Sequence, residues 1–308
     1  MSRPSPPARA RWVSGEVLDL TLAGARGGSV IARFGSTVHA QLGDFVVAVL
    51  PPAAARLPNG LSIPALPPGA PEPRVGHRAL LSPGRLLVGG LEIGWDRDRP
   101  PRWNPTVRRW SPAHRERLDA RARAILAGGP AEKRADGAGA LAASSGFGPG
   151  DTGARDGVAA LLAAVRHRDA RLAAHAARQL VGRGAGLTPL GDDLLAATAL
   201  TVGSLGEASG FPPGRHRAWL DALVPPELRK RTTAVSATLL ELATRGSGIG
   251  PAQRLLDPDR GRGGQLGPEL DRLRRLGHTT GPAYATAIGI VARELATPPA
   301  FPATRPRS

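Results

Sequence analysis

Two adjacent carboxylates, Asp192 and Asp193, open an apolar stretch that carries no other ionisable group before Glu207. At the mouth of a buried helix such a pair is costly unless backbone amides, an arginine, a hydroxyl-bearing ligand or Mg²⁺ compensates it. The residues just upstream, Gly182-Arg183-Gly184-Ala185-Gly186-Leu187-Thr188-Pro189, supply three glycines whose backbone can approach a ligand closely. Thr188 is expected to cap the helix, with Pro189 at its first position, so Asp192 and Asp193 fall in the first turn. Free amides and the helix dipole there favour an anion. The alternative is ordinary capping, with one aspartate paired to an arginine such as Arg183.

Two further helix mouths carry related chemistry. In Arg231-Thr232-Thr233-Ala234-Val235-Ser236, Thr232 and Ser236 stand four apart, so their hydroxyls share a face beside Arg231 and can hold a phosphate or carboxylate. Simple capping accounts for these residues equally well. In Gly277-His278-Thr279-Thr280-Gly281-Pro282 a threonine caps the last long helix, and His278 stands at its positive end, fit to polarise a carbonyl or move a proton near neutral pH. The other six histidines form no i, i+4 pair, so no zinc site is expected, and the absence of cysteine rules out disulfides, thiolate metal sites and thiol nucleophiles.

The elements that position these groups divide along the chain. Alternation at Leu18, Leu20 and Leu22 and at Val30, Ala32 and Phe34, the apolar run Phe45 to Leu50, and recurrent Pro/Gly turns predict a β-rich region over 12–110. A connecting helix is expected over 111–127, with the stripe Leu118, Ala122, Ile125, and a flexible Gly/Ala-rich linker over 128–153. Helical periodicity fills 154–296, which holds the three mouths, and residues 1–11 and 297–308 are expected as disordered tails. The fold class is therefore α+β, strands first and helices second.

Composition narrows the partners. The chain has 308 residues, with 41 Lys+Arg against 25 Asp+Glu and a formal net charge of +16. Only Lys133 and Lys230 are lysines, an arginine bias of the kind a GC-rich genome produces, and the arginines are interspersed with acids. With aromatics at 4%, a base-stacking platform is poorly supplied, and nucleic-acid binding ranks low. Leu194 to Gly206 and Thr279 to Ala292 come closest to a membrane span, and both fall short of the roughly 18 residues that span a bilayer. No membrane association and a cytoplasmic location are expected, since Asp19 interrupts any signal-peptide core.

The three mouths, in this order and spacing, resemble the AllH-like family, named after the AllH subunit of oxamate carbamoyltransferase. The carrying residues are Gly186-Leu187-Thr188-Pro189 with Gly191-Asp192-Asp193, then Thr232-Thr233 with Val235-Ser236, then Gly277-His278-Thr279-Thr280-Gly281, and by pattern the resemblance extends over about 12–296. The chain departs from the family pattern at Ala185, Leu190 and Ala197, where Pro, Ser and Gly are usual. The resemblance implies oxalurate phosphorolysis to oxamate and carbamoyl phosphate, in allantoin breakdown, alongside partner subunits. Where this resemblance meets the chemistry of the three mouths, Asp192, Asp193 and His278 are the expected catalytic groups: Asp192 or Asp193 would bind Mg²⁺, the one candidate cofactor, or fix the attacking or leaving group, and His278 with Thr279 would orient or polarise the transferred carbonyl. The anion, whether phosphate, carbamoyl phosphate, oxamate or oxalurate, would rest on Gly186, Leu187, Thr188, Arg231, Thr232, Thr233, Ser236, Thr279, Thr280 and Gly281. The alternative within the same site is a non-catalytic subunit that only binds a small anion.

Overall fold

Apolar alternation along the first hundred residues becomes one ten-stranded sheet. The computed structural model describes residues 7–64, 70–127, 141, 147, 150–260 and 266–297. Its strands are β1 (Ala8–Arg9), β2 (Trp12–Ser14), β3 (Arg26–Phe34), β4 (Thr37–Leu42), β5 (Phe45–Leu50), β6 (Gly60–Ser62), β7 (Arg78–Ser82), β8 (Arg85–Val88), β9 (Leu91–Gly94) and β10 (Arg102–Trp103). They are ordered β1-β9-β8-β7-β3-β4-β5-β6-β2-β10. Ala8 and Ile93 from one end of that order and Val13 and Leu61 from near the other lie in a single apolar cluster, so the sheet curls on itself. β5 is buried along nearly its whole length, as its continuous apolar run predicts.

Two expectations fail here. Gly15–Leu22 is a helix, α1, and not a strand. The Ser14 hydroxyl accepts from Glu16 N at 3.3 Å and caps it, while Val17, Leu18 and Thr21 face inward and Leu22 is 84% exposed. Spacing of two among the leucines was therefore incidental, and the cap and the helical face decide. Likewise Ala8 and Arg9, expected in a disordered tail, pair in parallel with Ile93 and Gly94 of β9.

The helices are α2 (Leu118–Leu126), preceded by a 3₁₀ turn at Pro112–Arg117, then α3 (Thr152–His167), α4 (Ala170–Leu180), α5 (Leu190–Leu205), α6 (Pro213–Asp221), α7 (Leu228–Arg231), α8 (Ala234–Thr244), α9 (Gly250–Leu255), α10 (Gly267–Arg274) and α11 (Thr280–Ala296). The expected linker 128–153 lies mostly outside the described residues. Leu141 within it is fully buried in the helical core, Phe147 packs against that core, and Thr152 and Gly153 already belong to α3. Every residue of α5 except Gly203 is buried, so this helix, apolar all round, forms the axis on which α8 and α11 pack. Burial of this kind supplies most of the stability of such short helices. No helix among the described residues is long and apolar enough to cross a membrane.

The sheet and the helices share backbone-level contacts. Val46 N of β5 donates to Thr238 Oγ1 of α8 at 3.2 Å, and Gly250 N donates to Arg56 O at 2.8 Å. The start of α8 is thus anchored on the sheet at one side while its mouth turns toward α5.

Candidate functional site

The loop between α4 and α5 is held against the start of α8 by a close backbone approach. Gly182 has φ +74°, and a Cβ there would lie 2.0 Å from Arg231 O, so only glycine fits. This approach places Gly182 N 2.9 Å from Asp192 Oδ1, to which it donates. The Thr232 hydroxyl donates to Asp192 Oδ2. Both oxygens of this carboxylate are therefore engaged, one by each flanking segment.

The expected cap is displaced by one residue. α5 begins at Leu190 with Pro189 as its N-cap, and Pro189 O accepts from Asp192 N at 3.0 Å and Asp193 N at 3.2 Å. Proline has no N–H to lose and its carbonyl becomes the first helical acceptor, which leaves the Thr188 side chain free to turn away. Its hydroxyl meets the Thr280 hydroxyl, 2.9 Å away on α11. Leu190 is buried in the helical core.

The mouth of α8 is capped by Thr233, whose hydroxyl accepts from Ser236 N at 3.1 Å and donates to Leu187 O at 2.6 Å. Hydroxyl bonds thus bring together α5, α8 and α11: Thr232 to Asp192, Thr233 to Leu187, and Thr188 to Thr280. Gly184, Ala185, Gly186, Leu187 and Thr188 donate no backbone hydrogen bond among the described residues, so their N–H groups are open at the exposed lip of the site.

Two buried oxygens in this region have no hydrogen-bond partner, Asp193 Oδ2 and Ser236 Oγ. Asp193 is 3% exposed and Ser236 is 2% exposed. Burial pushes the Asp193 carboxyl up to about 8, against the pull of Thr280 and Thr188 and with a further push from the Asp192 charge. Thr188 and Thr280 favour its charged form, but they bond each other and leave Oδ2 unpaired. Asp192 is also raised by burial, opposed by the bonds from Thr232 and Gly182. Tyr284, the lone tyrosine, is buried one turn along α11 from Thr280, and burial plus the charges of Asp193 and Asp192 hold its hydroxyl well above the usual range. The i, i+4 spacing of Thr280 and Tyr284 was the signal for this residue, and reading the mouth alone misses it.

Other expected residues sit differently. The Arg231 guanidinium donates to Arg178 O and makes no hydrogen bond to the aspartates, although its charge favours the ionised form of Asp192. Arg183 pairs with Asp151 at 3.2 Å, so it does not neutralise Asp192 or Asp193. His278 and Thr279 are exposed in the turn before α11, without a hydrogen bond to either aspartate among the described residues. Gly281 is buried, and its N–H donates to Leu276 O at 2.7 Å and is closed to a ligand. The donor set fits a resident Mg²⁺ poorly: both Asp192 oxygens already accept hydrogen bonds, and no group of three or more His, Asp or Glu that could hold a metal occurs among the described residues.

Residues 180–293 match the family model described as oxamate carbamoyltransferase subunit AllH. The match holds all three helix mouths and covers less than half of the chain, so the extent 12–296 read from pattern is narrowed to the helical region. No curated protein and no solved structure matches the chain.

Proposed function

We propose that the chain is a subunit of a carbamoyl-transferring assembly, and that the meeting point of α5, α8 and α11 binds oxalurate and phosphate for phosphorolysis. The observation that carries this reading is the buried, unpartnered Asp193 carboxyl at the junction of three helix mouths. The family description supplies the reaction class. The open amides of 184–188 are donors suited to anionic oxygens. Asp192, tied to Gly182 and Thr232, is a positioning residue that keeps the loop and α8 in register.

In the reaction a phosphate oxygen attacks the carbamoyl carbon of oxalurate, and the bond from that carbon to the oxamoyl nitrogen breaks. Asp193, uncharged at pH 7, gives its proton to the departing nitrogen, which leaves as oxamate. The attacking phosphate oxygen loses its own proton, and that proton restores Asp193. His278 meets ligand only from the exposed rim.

The test is phosphate-dependent cleavage of oxalurate, followed as carbamoyl phosphate, with the chain alone and with its partner subunits. Product is expected with the partners present and is abolished by Asp193→Asn. Absence of product in both mixtures removes the reading. A non-catalytic anion-binding subunit is the second reading, favoured by the open loop amides, which serve binding without chemistry. It would be supported if Asp193→Asn left phosphate binding and assembly turnover unchanged.

A further inference from the structure

A second concave site lies on the sheet, and none of its lining residues belongs to the helical region. Its cavity of about 550 Å³ sits at the β1 edge, between β1, the β7–β8 turn and the segment after β9. Arg9, Arg85, Arg97 and Arg99 line it, against two acids, Glu92 and Asp96.

The acids leave most of that positive charge uncompensated. Asp96 Oδ1 is turned into its own loop, accepting from Asp98 N at 2.8 Å and Arg99 N at 3.0 Å, although its carboxyl also feels the Arg9 charge. Glu92 approaches only Arg85, at 3.9 Å. Arg9, Arg97 and Arg99 make no ion pair among the described residues, whereas twelve other arginines do.

The site is also built from fixed parts. Gly84 has φ +82°, and a Cβ there would lie 2.7 Å from Arg97 Cγ, so the Arg97 stem crosses the turn where only glycine admits it. Trp95 N donates to Gly84 O at 2.9 Å, which ties the following segment to that turn. Trp95 packs against the apolar core of the sheet and also lines the cavity, so an indole borders the same space as the four arginines.

The geometry points to this cavity as a binding site for a nucleotide-sized phosphate ester, with its phosphates on Arg9, Arg97 and Arg99 and its ring against Trp95. Guanidinium groups suit phosphate oxygens, the indole face suits a planar ring, and the volume falls in the range of small-ligand clefts. The site is independent of the helix mouths.

The test is calorimetric titration of the full chain with ADP, pyrophosphate and adenosine at about 0.15 M salt, where nonspecific attraction to a +16 surface is screened. ADP is expected to bind more tightly than pyrophosphate, and adenosine not to bind detectably. The double variant Arg97→Ala/Arg99→Ala should weaken ADP at least about tenfold, with the unliganded melting temperature within about 2 °C because both side chains are exposed. Trp95→Leu should weaken ADP and leave pyrophosphate unchanged, and Asp193→Asn should change neither. Unchanged ADP affinity in the arginine double variant, loss of ADP with Asp193→Asn, or no ADP binding at this salt overturns the assignment.

Discussion

Asp192 and Asp193 occupy one turn of α5, yet the two sides of that helix mouth are built differently. On the α8 side, the Gly182 amide and the Thr232 hydroxyl consume both oxygens of Asp192. On the α11 side, Thr188 and Thr280 bond each other, and Asp193 is left with an unpaired oxygen. A buried carboxylate with two donors serves architecture, because its bonds hold three segments in register. One buried with an oxygen left unpaired destabilises the fold wherever it is charged, and such a group persists where a ligand or a reaction uses it.

The largest expected effect comes from Asp193. Replacing it with Asn should lower assembly turnover by about 10²–10⁴-fold, the range of a general acid. Its stability signature has a definite sign. The folded-state value near 8 exceeds the unfolded value of 3.8, so between these limits the native state keeps a proton that the unfolded chain gives up. Its contribution to stability is therefore full at the acid end and declines as pH rises through that window. Melting temperatures measured across the window should fall less steeply with pH in Asp193→Asn than in the parent protein. Identical slopes would mean that Asp193 ionises freely, and the contrast between the two carboxylates would dissolve.

Next in size is Asp192→Ala, which strands Gly182 N–H and the Thr232 hydroxyl. Chemical denaturation should register a loss of about 2–4 kcal/mol from these two bonds. An unchanged midpoint would show that the α8 side is not held by this carboxylate. Thr280→Val removes only the hydroxyl that meets Thr188 and should cost about 0.5–1.5 kcal/mol. The Thr188→Val/Thr280→Val double variant should then cost clearly less than the sum of the single variants, since both delete one contact. Additive losses would argue that the two hydroxyls act separately.

The smallest effect belongs to His278→Ala. Its exposed place before α11 limits the change in stability to about 0.5 kcal/mol. Turnover should change by less than about tenfold, below what a general acid–base group contributes. A loss of a hundredfold or more would move the chemistry from Asp193 to the rim.

Much of this arrangement was legible along the chain. The uncharged run after Asp193 announced the buried axis α5, and the repeated hydroxyls announced helix mouths. What misled was local resemblance between periods. Leu18, Leu20 and Leu22 alternate like a strand, but Ser14 caps a helix there. Thr188 looks like a cap because its hydroxyl precedes a proline, yet that hydroxyl has a better partner on α11. The charge followed the same logic: many of the arginines that suggest a polyanion surface are spent on nearby carboxylates and carbonyls, as Arg183 on Asp151 and Arg121 on Leu255 O.

By itself the sequence determined the division into a strand-rich first part and a helical second part, the helix on which the carboxylates sit, and the absence of thiol chemistry, because these follow from residue type and short-range spacing. Only the tertiary structure decided which aspartate is satisfied, that Tyr284 lies within reach of the charges of the pair, and that Arg231 and His278 make no hydrogen bond to either aspartate among the described residues. Those outcomes depend on contacts between residues some 40 to 90 positions apart, such as Thr232 with Asp192 and Thr188 with Thr280. Spacing along the chain carries no information about such distances. The free energy of a buried carboxyl depends on whether those distant donors arrive.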